Sequence, residues 1–131
     1  MMPQAYVDDP TIEDQDELLR RIFPCWWVFD KNLGHLRPTS QAFKNHRDGS
    51  PMSVYLQKEL EEHGLSPESV LTENEGFALA SITAGLVRQC EQGVMRRPDI
   101  DLAHAEVFGE KTGSVRRKFA ENAVWIVPPN G

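Results

Sequence analysis

Between Phe77 and Cys90 the apolar positions recur every four residues, with Leu79, Thr83 and Val87 on one line and Ile82, Leu86 and Cys90 on another. That spacing brings side chains onto one face of a buried helix, and Gly93 supplies its stop. Thr83 also fits a second reading, as the cap of a helix that follows a strand. After the loop Arg96–Asp99, the residues Ala103, Ala105 and Val107 alternate with His104, Glu106 and Phe108, the two-residue period of a strand. Gly109 to Gly113 turns the chain, Ser114 is placed to cap a helix, and Val115, Phe119 and Ala123 form its buried stripe. Val124 to Val127 then reads as a final strand, ended by Pro128 and Pro129.

The first half is less regular. Asp9-Pro10-Thr11 opens a helix with acids near its positive end, Ile12, Leu18, Leu19 and Ile22 form a modest apolar face, and Pro24 ends it. Cys25 to Phe29 is aromatic and β-branched, as strands are, and Asp30 to Gly34 is rich in turn residues. Leu36 to Phe43 returns as a second strand, with Pro38 forcing an edge position or a break. Asn45 to Pro51 is a loop. Ser53 to His63 fits a helix closed by Gly64, although Met52 to Leu56 alone also fits a strand feeding a shorter helix. Ser66-Pro67-Glu68 starts a short helix that runs to about Thr72.

These elements predict an α+β fold. A short mixed or antiparallel sheet is assembled from Cys25–Phe29, Leu36–Phe43, Ala103–Phe108 and Val124–Val127, and three to five helices, chiefly from residues 53–91 and 114–122, pack it. The 131 residues suit one domain, read as residues 10–131 after a flexible leader of residues 1–9. With 40% hydrophobic and 26% charged residues, the chain has the balance of one that folds.

Charge narrows the function. The net charge is −6, and the first 19 residues carry Asp8, Asp9, Glu13, Asp14, Asp16 and Glu17 with no base, so the rest of the chain is neutral overall. A general electrostatic grip on nucleic acid is therefore not expected. Cys25 and Cys90 form no zinc-type spacing and read as reduced, buried thiols, while His35, His46 and His63 lie in unrelated contexts. No metal or cofactor is expected. The N-terminus has neither the basic nor the apolar region of a secretory signal, and no run approaches the roughly 18 to 20 apolar residues of a membrane span. The expectation is a soluble, cytoplasmic protein.

The candidate chemistry is concentrated in three places. Gly109 to Arg117 is a glycine-containing basic loop leading into a helix, where Lys111, Thr112, Ser114, Arg116 and Arg117 are placed to hold an anion. It lacks the Walker A order, and a capped helix with solvated bases accounts for the same run. Arg37 and Ser40, beside Pro38, add a second anion clamp or else a hydroxyl-stabilised turn. His104 as general base and Glu106 as its orienting partner share a strand face, with no nucleophile evident opposite them. Trp26 and Trp27, adjacent on a strand, face opposite ways, so an exposed tryptophan would mark a binding surface. The leading expectation is a non-catalytic module that binds a protein partner through that surface and the acidic N-terminal helix. The alternative is a small enzyme or sensor for a phosphorylated or nucleotide ligand.

The segments Arg37-Pro-Thr-Ser-Gln-Ala-Phe43, Ala103-His-Ala-Glu-Val107 and Glu110-Lys-Thr-Gly-Ser-Val-Arg-Arg-Lys-Phe119 resemble those of small uncharacterised bacterial proteins over roughly residues 20 to 127. The resemblance implies a bacterial-type globular domain, and it carries no activity.

Overall fold

The segment read as the first helix is a strand. In a computed structural model of the protein, which describes residues 6–73 and 76–129, β1 (Glu17–Ile22) pairs over its whole length with a later strand, and only Pro24 acts as expected by ending it. A short 3₁₀ turn (Pro24–Trp26) leads into β2 (Trp27–Asp30), which forms a hairpin with β3 (His35–Pro38). The expected turn is there: the Asp30 carboxylate accepts from the N–H groups of Asn32 and Leu33, and Gly34 takes a positive φ of 76°. A second 3₁₀ turn (Ser40–Phe43) replaces the end of the strand expected over Leu36–Phe43. Then follow β4 (Met52–Leu56), α1 (Gln57–Glu62), a 3₁₀ turn (Pro67–Leu71), β5 (Ala78–Thr83), α2 (Ala84–Gln89), β6 (Gly93–Arg96), β7 (His104–Phe108), α3 (Gly113–Asn122) and β8 (Val124–Val127).

The expectation of an α+β domain, a short sheet packed by three to five helices, is thereby corrected. Among the described residues the chain is mostly sheet: eight strands, six of them in one antiparallel sheet of order β6-β7-β4-β1-β5-β8 and two in the hairpin, with three short α-helices of six, six and ten residues. The physical reason lies in burial. A strand covered on both faces loses its polar alternation, so its sequence cannot be told from a buried helix by period alone. In β5 the five residues Ala78 to Ile82 are all buried, and in β1 Leu18, Leu19 and Arg20 are buried in succession. The four-residue recurrence of Phe77–Cys90 is a strand followed by a helix, with Thr83 capping α2 by accepting from the Leu86 N–H at 3.1 Å.

One face of the large sheet presents Leu18, Ile22, Val54, Ile82, Ala105 and Val107 to α2 and α3, and beneath α3 the Phe119 ring meets Phe43 edge to face. The opposite face presents Leu19 and Leu79 to Leu60 of α1 and to Val70 and Leu71. The hairpin is held to the rest by Trp125, whose indole N–H donates to the Leu36 carbonyl at 3.0 Å. Both Trp26 and Trp27 are half-buried against the main core, because Trp26 ends a 3₁₀ turn and is not a strand residue. For the same reason Cys25 is exposed, contrary to the expected burial, while Cys90 is half-buried and both thiols are free. No helix among the described residues is long and apolar enough to cross a membrane.

The acidic N-terminal stretch forms no helix. Arg88 of α2 gathers it instead, with its guanidinium paired to Asp8 at 2.9 Å and Asp14 at 2.7 Å and donating to the carbonyls of Asp9 and Ile12. Asp8 also accepts from the N–H of Val94 on β6. Of the expected leader, residues 1–5 lie outside the described residues.

Gly93, expected to stop a helix, begins β6 directly opposite Phe108. A Cβ at position 93 would run into the Phe108 ring, which lies across the bare Cα. Gly93→Ala therefore displaces that ring, and urea unfolding should show a loss of about 1–3 kcal/mol, the ordinary cost of overpacking a buried site. An unchanged midpoint would mean the ring moves freely.

Candidate functional site

The residues expected to hold an anion do not converge. Lys111 turns inward: its ammonium donates to the Val107 carbonyl at 2.8 Å, the Gln92 side-chain oxygen at 3.0 Å and the Gly109 carbonyl at 3.2 Å. Burial, with the charge of Arg20 added, pulls that ammonium down to about 8. Thr112, not Ser114, caps α3 by accepting from the Val115 N–H, and Ser114 is exposed. Arg116 folds back along the first turn of its own helix. Only Arg37, Ser40 and Arg117 meet, in a cavity of about 730 Å³ between the hairpin and α3. Asp30, paired to Arg37 at 2.7 Å, and Glu121 line that cavity too, so it carries two carboxylates of its own.

His104 and Glu106 are buried on β7, on the sheet face opposite α3, since Ala105 and Val107, which alternate with them, point to the α3 side. They are thus separated from Arg37 by the sheet. Glu106 is ion-paired with Arg97, which also holds Asp99 at 3.0 Å, and these partners push the Arg97 guanidinium well above its usual range. The His104 ring stands edge-on to Tyr55, and its Nε2 has no hydrogen-bond partner among the described residues.

A different set of residues does converge. β1 and β4 are neighbours in the sheet, yet they pair only at Leu18 with Leu56 and Leu19 with Tyr55. Beyond that point each keeps its other neighbour, β1 pairing with β5 through Ile22 and β4 with β7 through Met52, so the two strands part. Arg20 spans the opening. Its Nε donates to the Ala42 carbonyl and one terminal nitrogen to the Ser53 carbonyl, both at 2.9 Å, while the other terminal nitrogen has no protein partner among the described residues. Asn45 closes the far end, accepting from Met52 N–H and donating to the Gly109 carbonyl.

The opening is a cavity of about 620 Å³, within the usual range for small-molecule sites. Arg20 and Arg21 enter from β1 and Lys44 and Arg47 from the segment after the second 3₁₀ turn. Aromatic walls complete it. Phe23 stacks on Trp26 with centroids 4.1 Å apart and meets Phe77 edge to face, and Tyr55 stands across from them. The cations lie against these rings, with Arg20 5.8 Å and Lys44 5.7 Å from the Trp26 centroid and Arg21 5.2 Å from that of Tyr55.

Electrostatically the cavity is unlike the rest of the chain. Seven of the twenty acids are paired elsewhere, with Arg37, Arg88, Arg96 and Arg97. Among the described residues no carboxylate lines the cavity, and none lies within ion-pair distance of Arg20, Arg21, Lys44 or Arg47. Arg20 is 9% exposed, and burial together with Arg21 draws its guanidinium down to about 10, where it is still charged at neutral pH. Buried Arg20 and half-buried Lys111 thus stand near one another, neither of them in a salt bridge among the described residues.

The sequence contains a signal for this site that periodicity hid. Two basic-aromatic runs, Arg20-Arg21-Ile22-Phe23-Pro24-Cys25-Trp26 and Phe43-Lys44-Asn45-His46-Arg47, lie about twenty residues apart, but with Arg20 and Arg21 assigned to a helix the two runs had no reason to meet. No protein-family model, curated protein or solved structure matches this chain, so the site stands on its own geometry.

Burial holds the His104 imidazole below its ordinary value, against the pull of Glu106 and Asp101 and with Arg97 and Arg21 opposing protonation. The unfolded chain takes up the proton below about pH 6.5, where the folded chain resists it, so stability is intact above that pH and falls as the pH drops through it. Wild-type stability in urea should therefore decline from pH 7 to 5 more steeply than that of His104→Gln, by up to about 1.4 kcal/mol per pH unit. Parallel profiles would place His104 in contact with water.

Proposed function

We infer that the cleft between β1 and β4 binds a phosphorylated small molecule carrying an aromatic ring, a nucleotide being the fitting class. The observation that carries this reading is the convergence of four cations without carboxylate partners on a cavity walled by Trp26, Phe23, Phe77 and Tyr55. A phosphate offers these cations charge-assisted hydrogen bonds and offsets the cost of burying Arg20 uncompensated. A planar base supplies the surface that aromatic and guanidinium faces stack against. This is the phosphorylated-ligand alternative of the sequence reading, carried by different residues from those expected to serve it.

A second reading, the docking of a protein partner, is supported at the hairpin. There Phe29 is 60%, Leu33 56% and Val28 42% exposed, apolar side chains presented from both faces and the turn of a two-stranded sheet. None of them lines the cleft, so the two readings separate experimentally.

Tryptophan fluorescence titrated with adenosine monophosphate, guanosine monophosphate and inorganic phosphate tests the cleft, with Trp26→Phe identifying the reporting ring. At least one nucleotide should quench Trp26, and Lys44→Ala and Arg47→Ala, both at exposed positions, should each weaken binding by about 1.5 kcal/mol, roughly tenfold. Added salt should weaken it further. Phe29→Ser should leave the titration unchanged. If no nucleotide quenches at millimolar concentration, the reading fails.

A further inference from the structure

The cleft contains a side-chain pair that ligand binding alone does not require. His46 Nε2 lies 3.0 Å from Ser53 Oγ, and Oγ makes no other hydrogen bond among the described residues. Both residues line the cavity that holds the four cations. Ser53 is fixed on β4 in register with Glu106 of β7, and its carbonyl is the one that accepts from Arg20, so the hydroxyl and the buried guanidinium share one anchoring residue.

Backbone hydrogen bonds order the turn that carries the histidine. The turn from His46 to Ser50 is closed at both ends by His46 itself, whose N–H donates to the Ser50 carbonyl at 3.0 Å and whose carbonyl accepts from Gly49 at 2.9 Å. Gly49 takes φ 91°, a conformation that side chains resist. Asp48, inside the same turn, is tied down by the Ser50 N–H and hydroxyl, which adds to the turn's order. Hydroxyl and imidazole stand within hydrogen-bond distance of each other, in a cavity whose cations would hold a phosphate.

We propose that Ser53 and His46 are a nucleophile and general base for phosphoryl transfer from an aromatic phosphomonoester bound in the cleft. The proposal rests on the phosphorylated-ligand reading above. Ser53 Oγ attacks phosphorus as His46 Nε2 takes the hydroxyl proton. The bond from phosphorus to the ester oxygen breaks with its electron pair on the departing oxygen, and that oxygen receives the proton from His46 and leaves as the alcohol. Water then attacks the phosphoserine, giving its proton to His46; the bond between phosphorus and Oγ breaks, Oγ regains a proton and inorganic phosphate departs. No oxidant or reductant enters. Arg20, through its unpartnered terminal nitrogen, together with Arg21, Lys44 and Arg47, opposes the charge that builds on the phosphoryl oxygens.

p-Nitrophenyl phosphate is the probe, because it is an aromatic phosphomonoester whose phenolate and phosphate are both measured. The wild type should release the two in equal amounts, and rapid acid quench with mass spectrometry should find one phosphoryl group on Ser53. Ser53→Ala should fall to the buffer rate, and His46→Gln should lose roughly a hundredfold or more. Both variants should still quench Trp26 fluorescence with the same probe, which shows that they are folded and bind. Release by Ser53→Ala at the wild-type rate overturns the proposal. Quenching of the wild type without release overturns it as well and leaves the binding reading standing. Neither quenching nor release overturns the proposal, and the nucleotide titration then decides the binding reading separately.

Discussion

The Arg20 guanidinium, lodged between the carbonyls of Ala42 and Ser53, is the contact on which the rest of the arrangement turns. Where β1 and β4 part, their facing backbone groups lose the ladder that satisfies such groups in a sheet, and buried carbonyls without donors are costly. An arginine is long enough to reach across the opening and carries several donors in a fixed plane. Burying its charge without a carboxylate has a desolvation cost, met only in part by the two hydrogen bonds and the Trp26 ring. The sheet thus stays joined at this point by a group that leaves the cleft strongly positive.

That local solution gains its meaning from what happens to charge elsewhere. Arg88, Arg96 and Arg97 each engage two carboxylates, drawing Asp8, Asp9, Asp14, Glu59, Asp99 and Glu106 into contacts that tie the N-terminal stretch, α1 and the loop before β7 to the sheet. Those six acids stand in structural ion pairs, and among the described residues the cleft is lined by cations and by no carboxylate. Net charge describes the average field and says little about a pocket that no carboxylate lines.

How far the sequence could be read depended on the burial of each element. β7 alternates cleanly and was legible over Ala103–Phe108; β8 was legible because Pro128 and Pro129 end it, α3 because of its stripe of Val115, Phe119 and Ala123, and the hairpin turn because Asp30 and Gly34 do what their chemistry favours. β1 and β5 lie inside the sheet with both faces covered, and without a polar alternation they read as helix. Thr83 marks the point where both readings touch, for it ends β5 and caps α2. The candidate site suffered in the same way. Lys111, Arg116 and Arg117 were conspicuous as a run, but Lys111 is consumed by carbonyls around it and the other two lie along their own helix or beside the hairpin.

By itself, then, the sequence determined the turns, the proline-ended strands, the caps within a residue or two and the placement of acid at the N-terminus, because each of these follows from the conformational preference or charge of residues adjacent in the chain. Tertiary structure alone decided that β1 and β5 are strands, that the N-terminal acids turn back onto Arg88, and that Arg20, Arg21, Lys44, Arg47, His46 and Ser53 share one cleft. Those residues come from three separate segments, and they meet only because two neighbouring strands pair for two residues and then diverge, a choice set by what packs on either side of the sheet and written in no local pattern.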